Sequence, residues 1–580
     1  MAGKSWKTIV QEKQAERARL IQDVVSKAKA TDGEANAARA KKEEIIHATA
    51  TEIVQNIQAG KPGWTAENIV MAFAIRASEA QEKINCLTEI MFSQALEEAR
   101  ALDAEFAQTK KLRGPLHGLP ISLKDCYKVK GYDATIGFTQ WVGKPSDVDA
   151  EIVNHIRAAG GIPFVKTNVP QTMLSFECGN PLWGRTLNPY SPDYTCGGSS
   201  GGEAALAACD GAALGFGSDT GGSLRIPPGF SGVYALKPSQ HRIARSGSVG
   251  CVPGFEALIA VNGPIARSVG DVELASRVLF GRSDALNETL PPVPYRDVTV
   301  PKKLKFGYYK TDLLLKSSPA CQRAVQETVD ALRKQGHECV EFVIPNTIEA
   351  ARIFVALTSA DGYKTLTSHI GPDPRERTLF LVTLGSKIPF FIRSFACWAA
   401  RTFKGDEAWA TLFSTSHPRN VTDFWAETKA RNEYNKFFHE NVWGKYGFDG
   451  IICPVNALPT VPHGGSALLS PLAFSASLYN VVDHPVGILP VTRVDKTQDA
   501  ISEAWTDPAI GGPIGSPIIY ATMYEGAKAA YDPVAMEGIP VGVQIVGRPW
   551  EDEKVVEMMK VVDIALGKRG FGPGAWTGKA

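Results

Sequence analysis

Apolar positions recur along this chain with two different periods, and the change of period divides it. Residues Ser5 to Gln58 carry charged, amphipathic helical patterns with a break near Thr31-Asp32-Gly33. They predict helices packed on the outside of a core, the alternative being an arm that binds a partner. Pro62-Gly63-Trp64-Thr65-Ala66-Glu67 reads as a helix start with Thr65 as its cap. From Ile121 onward short apolar runs alternate with helical patterns, as at Gly161-Ile162-Pro163-Phe164-Val165, Leu304-Lys305-Phe306-Gly307-Tyr308 and Gly450-Ile451-Ile452-Cys453-Pro454. That alternation predicts an α/β fold with a mostly parallel sheet covered by helices. The expected organisation is a helical extension over 1–60 and one large domain over 61–575, with no internal repeat and no low-complexity linker.

The greasiest helical candidate runs from Ile388 to Lys404. Helical spacing sets Arg393, Arg401 and Lys404 on one side and Phe391, Phe395 and Trp398 on another. A basic face opposite an aromatic face suits a helix lying in a membrane interface. An ordinary core-packing helix is the competing reading, and the pattern alone does not choose between them.

Composition narrows the function classes. The 580 residues are 44% hydrophobic and 21% charged, enough to build a large core. A net charge of +1 argues against a general nucleic-acid binder. Ten cysteines lie singly, without a C-x-x-C pair or zinc spacing, so reduced thiols in a cytosolic setting are expected. Met1 to Arg19 is polar and charged, unlike a signal peptide or anchor. No run of eighteen apolar residues suggests a membrane span. No histidine spacing suggests a metal, and no cofactor is expected. Gly215-Phe216-Gly217-Ser218-Asp219-Thr220-Gly221 nearly copies a dinucleotide fingerprint but has the wrong last spacing.

The candidate chemistry sits in two glycine loops and one strand. Cys196-Gly197-Gly198-Ser199-Ser200-Gly201-Gly202 and Ser218-Asp219-Thr220-Gly221-Gly222-Ser223 each hold serine among glycines. The segment Glu203 to Gly217 between them suits a short buried helix followed by a strand. Glycine removes the Cβ atoms that keep a substrate from backbone N–H groups, so such a loop can offer a nucleophile beside an oxyanion hole. Upstream, Gly118-Leu119-Pro120-Ile121-Ser122-Leu123-Lys124-Asp125 reads as a buried strand that delivers Lys124 at its end. Burial disfavours the ammonium form, so Lys124 can serve as a neutral base towards a serine.

These runs, continuing through Leu224-Arg225-Ile226-Pro227, resemble the amidase signature family, with both serines and the lysine at that family's spacing. Asn168-Val169-Pro170-Gln171-Thr172-Met173, Asn180-Pro181-Leu182-Trp183-Gly184, Ala235-Leu236-Lys237-Pro238 and Gly538-Ile539-Pro540-Val541-Gly542-Val543-Gln544 also match. Within the family the chain is most similar to fatty acid amide hydrolases and the acetamidase branch, from about residue 60 to about 565. The mammalian-type fatty acid amide hydrolases carry an N-terminal span, and here this chain departs from them. The resemblance implies a large mixed sheet sandwiched by helices and hydrolysis of a carboxylic amide to acid plus amine or ammonia. It implies Ser223 as nucleophile, Ser199 as bridging serine and Lys124 as base. The N–H groups of Thr220, Gly221, Gly222 and Ser223 would hold the oxyanion, with a backbone contact from Met173 near the acyl group. Ser200, Asp219 and Arg225 would support the loops. The implied substrate is a small-molecule amide with an apolar acyl chain, fatty or short. Residues 388–404 fall where fatty acid amide hydrolases carry a membrane-dipping helical pair, so a cytoplasmic protein with a peripheral membrane contact is expected, and a homodimer stays open.

Two other readings compete. The glutaminase subunit of a tRNA-dependent amidotransferase shares the signature but works with partner subunits. Gly198-Ser199-Ser200-Gly201-Gly202 also fits a nucleophile elbow centred on Ser200, an α/β-hydrolase-type esterase that would need a histidine such as His463 or His484.

Overall fold

The computed structural model describes residues 4–31, 35–283, 290–502, 505 and 515–578. Eleven strands form one sheet: β1 (Leu87–Ile90), β2 (Pro120–Lys124), β3 (Ile162–Thr167), β4 (Leu214–Asp219), β5 (Tyr234–Lys237), β6 (Val261–Ala266), β7 (Lys305–Tyr308), β8 (Glu338–Glu341), β9 (Gly450–Pro454), β10 (Val486–Arg493) and β11 (Pro540–Val546). Their spatial order is β1-β3-β2-β4-β6-β5-β10-β11-β9-β7-β8. Helices flank the sheet, which gives an α/β fold. The direction of its strands differs from the pattern-based expectation. Only four of the ten neighbouring pairs are parallel, and six are antiparallel. A strand covered on both faces reads as a continuous apolar run whichever way it points, so the runs carried no direction. Every residue of β2, β3 and β11 is buried.

The N-terminal region forms helices Trp6–Thr31, Ala35–Ile46 and Ala50–Gln58. The break at Asp32-Gly33 falls outside the described residues. The third helix starts with a capping box, in which Thr49 accepts from the Glu52 N–H and Glu52 accepts from the Thr49 N–H. Thr65 caps the next helix, Ala66–Ile84, accepting from the Asn68 N–H at 3.2 Å.

Helix Phe390–Lys404 lies on the surface, and among the described residues no single helix is long and apolar enough to cross a membrane. It meets the preceding segment Arg377–Lys387 at 108°. Cys397 and Ala400 face the body of the protein, while Phe390 and Phe403 are 75% and 72% exposed, and Phe391, Phe395 and Trp398 are also exposed. The basic side predicted by spacing does not face water as a unit. Arg393 is buried and donates to the Gly385 carbonyl at 3.1 Å, and Arg401 pairs with Glu407 at 2.7 Å. Arg393 shares the inner face with Cys397 and Ala400, where its guanidinium finds a carbonyl, while Arg401 and Lys404 stay exposed.

Candidate active site

The site forms where two adjacent parallel strands end. Strand β2 delivers Lys124, fully buried, at its last position. Strand β4, its neighbour, ends in the second serine loop. Between the loops runs helix Gly201–Ala208, all eight of whose residues are buried; its small Gly, Ala and Leu side chains let it pack closely. The first serine loop enters this helix, so Ser199 and Ser200 sit just ahead of its first turn.

Folding brings the three predicted residues into one chain of contacts. Lys124 Nζ lies 2.7 Å from Ser199 Oγ, and Ser199 Oγ lies 2.9 Å from Ser223 Oγ. A partner that sequence reasoning missed completes the lysine's shell. Ser218 presents its hydroxyl at 2.9 Å and its carbonyl at 3.3 Å to Lys124 Nζ. These contacts suit a neutral amine, whose two N–H groups can donate to Ser218 while its lone pair accepts the Ser199 hydroxyl proton. Burial pushes the Lys124 pKa below the usual lysine range, against weaker attraction from Cys126 and Asp219. Protonated, the same lysine would send the chain of hydrogen bonds outward, towards Ser223.

The second loop is clamped from beneath by a carboxylate. Asp219 accepts from the Gly222 N–H at 2.8 Å, the Leu224 N–H at 2.9 Å and Asn480 Nδ2 at 2.9 Å. Arg225 grips both of its oxygens, at 3.0 and 3.1 Å. Burial alone would raise this carboxyl's pKa, but the Arg225 guanidinium, Lys237 and the Leu224 N–H together outweigh it and hold Asp219 well below the usual carboxylate range. Arg225, itself fully buried, also donates to Ala476 O, Asn480 Oδ1 and Gln544 Oε1.

This clamp corrects one expectation. The Gly222 N–H, expected to face an oxyanion, is committed to Asp219. Among the described residues no protein acceptor is recorded for the N–H groups of Thr220, Gly221 or Ser223, so three donors stay free at the loop's rim. Gly222 has φ +125°, a conformation that side chains rarely adopt. Gly221 admits Phe354: a Cβ there would lie 2.8 Å from the ring. Phe354 stands edge-on to Phe474, giving the rim an apolar wall. Met173, half-buried, follows Thr172, and both take left-handed φ angles of 58° and 68°. The Thr172 carbonyl accepts from Cys251 Sγ at 3.2 Å.

Ser200 is fully buried, and its hydroxyl donates to the Ser218 carbonyl at 3.3 Å. The histidines that an elbow would need are occupied elsewhere: His463 bonds the Pro192 carbonyl at 2.9 Å, and His484 stacks on Trp443. Among the described residues neither histidine reaches Ser200, whose hydroxyl is taken by the Ser218 carbonyl.

Comparison with known proteins shows the family. A family model described as amidase matches residues 68–556, and the chain belongs to that family. It is an amide-hydrolysing enzyme. The chain is 30% identical over 520 residues to fatty-acid amide hydrolase 1 of Sus scrofa, covering 88% of this chain and 84% of that protein. It is 31% identical over 542 residues to an acetamidase of Emericella nidulans, covering 90% of each. A solved fatty acid amide hydrolase superposes with a TM-score of 0.78 at 26% identity, covering 98% of this chain and 91% of that one.

Proposed function

We propose that the enzyme cleaves amides of apolar acyl groups through a serine–serine–lysine relay. The observation that carries this reading is the unbroken chain from buried Lys124 through Ser199 to Ser223. Neutral Lys124 takes the Ser199 proton, Ser199 takes that of Ser223, and the resulting alkoxide attacks the amide carbonyl. The N–H groups of Thr220, Gly221 and Ser223 then stabilise the tetrahedral oxyanion; one such donor is typically worth roughly 3–4 kcal/mol of barrier. The proton returns through Ser199 to the leaving nitrogen, and water releases the acyl group by the same route. Ser200, Asp219 and Arg225 shape the two loops, and Met173 belongs to the acyl side.

The acyl group is apolar in this reading because Phe354 and Phe474 wall the rim and because an aromatic face stands bare on helix Phe390–Lys404. That face suits contact with a membrane surface, from which an amphiphilic substrate would be taken. With Arg393 buried and Arg401 neutralised at the surface by Glu407, apolar contact would supply most of the attraction.

A panel from acetamide to long-chain N-acyl ethanolamines, run with Ser223→Ala and a fluorophosphonate probe, tests the reading. Preference for long chains, labelling at Ser223 and loss of both in the variant are expected. Labelling at Ser200 would overturn the relay, and activity on glutamine alone would point to an amidotransferase subunit. Vesicle sedimentation that survives Phe391→Glu with Trp398→Glu would take the membrane contact away from this helix, and a wild type that ignores vesicles would remove the contact altogether.

A further inference from the structure

Beyond the end of β2 lies a buried row of charges that the relay does not use. Asp125, next to Lys124, is held by Thr88 Oγ1 at 3.0 Å, Thr135 Oγ1 at 2.8 Å and the Ile136 N–H at 2.7 Å. Its own N–H donates to the Thr167 carbonyl at 3.1 Å. Lys166 Nζ pairs with Asp125 Oδ1 at 3.3 Å and donates to the Asp133 carbonyl at 2.6 Å. Asp125 and Lys166 are fully buried. Asp125 opens the turn that directly follows β2, so whatever anchors Asp125 fixes the backbone from which Lys124 projects.

The row ends on a residue from the far N-terminus. Lys13, on helix Trp6–Thr31, reaches in to Glu89 at 3.0 Å and to Asp133 Oδ2 at 3.6 Å. The same helix is seated firmly there: Gln14 donates to the Leu182 carbonyl at 2.7 Å and Arg17 to the Leu87 carbonyl at 2.6 Å. Arg17 also covers the Trp183 ring at 5.2 Å, and Trp183 Nε1 donates to Thr135 Oγ1 at 3.2 Å, one bond from Asp125. Lys13 thus pairs with Glu89 and Asp133, and with Glu16 of its own helix at 3.0 Å. The Asp133 carboxylate also accepts from the Gly143 and Lys144 N–H groups at 2.8 and 2.7 Å. Burial pushes the Glu89 carboxyl up to about 7, and Lys13 and then Lys166 are the cations that oppose the rise. Without Lys13, an ionised Glu89 would draw on the lysine that Asp125 holds.

We infer that Lys13 is a positioning residue for the relay: by occupying Glu89 and Asp133 it keeps Lys166 on Asp125, and so keeps Lys124 in line with Ser199. This inference rests on the relay proposed above. It gives the N-terminal helix a part in the chemistry, although no residue of that helix touches the reacting atoms.

The test uses the full chain and a soluble amide. Lys13→Met, which keeps the stem and removes the charge, is expected to lower kcat on the order of tenfold or more with KM changed less than about twofold. Lys13→Arg should restore most of the rate. Lys13→Met with Glu89→Gln should also restore it, because the competitor for Lys166 is gone; this pair leaves Glu89 without a charge, so it serves if the single variant does not fold. Val24→Ala, a cavity on the same helix away from the charges, is the matched control for loosened packing. The inference is overturned by an unchanged kcat in folded Lys13→Met, by a loss no greater than that of Val24→Ala at equal loss of Tm, or by a loss that persists in the double variant. Lys124→Ala, assayed alongside, separates the two claims. If it leaves kcat intact, relay and inference fall together; if it abolishes kcat while Lys13→Met does nothing, the inference falls alone.

Discussion

Ser218→Ala isolates one contact to the proposed base. The substitution removes the hydroxyl 2.9 Å from Lys124 Nζ and keeps the carbonyl at 3.3 Å. A hydrogen bond to a charged group contributes about 1.5–3 kcal/mol, and one to a neutral group about 0.5–1.5 kcal/mol. The hydroxyl therefore favours the ammonium over the amine by on the order of 1 kcal/mol. At about 1.4 kcal/mol per pH unit, its loss should lower the Lys124 pKa by nearly one unit. The sign is fixed: a lysine already pushed down by burial moves further down when an acceptor is taken away. The assay is the second-order rate of fluorophosphonate labelling of Ser223 against pH, whose acid limb reports the free enzyme's base. In wild type this limb should lie below the free lysine value of about 10.4, and in Ser218→Ala it should lie about one unit lower still. A limb that stays in place or moves up would refute the assignment of Lys124 as the titrating group.

Two further outcomes follow from the same geometry. Gly222→Ala places a Cβ 2.8 Å from Ile226 Cδ1 at φ +125°, so the loop should shift, with turnover falling about a hundredfold while circular dichroism is retained. An enzyme with unchanged kcat would mean that the loop geometry is not needed. His484 is neutral because burial lowers its pKa to about 3, and protonating Nε2 would break the bond that it accepts from Trp443 Nε1 at 2.7 Å. Its folded pKa lies below the unfolded value of about 6.5, so stability present above pH 6.5 is lost as pH falls, by about 2 kcal/mol at pH 5. His484→Gln should show that much less acid sensitivity in urea titrations at pH 7 and 5, and equal sensitivity would contradict the argument.

Local features of the site were legible in the sequence because short-range pattern sets them. An apolar run closed by Lys124 had to be a strand end, and two glycine-flanked serines had to be tight loops. What stayed hidden depends on partners distant along the chain. Ser218 meets Lys124 only because β4 lies beside β2, a choice made by sheet order. The Gly222 N–H reads as free until Asp219 is seen turned back beneath its own loop. Arg225 is steadied by Asn480 and Gln544, more than 250 residues further on. The inward turn of Arg393 was likewise beyond helical spacing, which ranks faces by character and leaves the choice of inner face to the neighbouring elements.

The clamp on Arg225 has a consequence for the newborn chain. Lys124, Ser199 and Ser223 all leave the ribosome more than 250 residues before the arginine that steadies the Ser223 loop finds its partners at residues 476, 480 and 544. A nascent or prematurely terminated chain carries all three residues of the proposed relay without the far anchor of the Ser223 loop. Activity should therefore switch on late and in one step, when strand β11 closes the sheet, and a half-made enzyme would not acylate itself on amides it meets during its own translation.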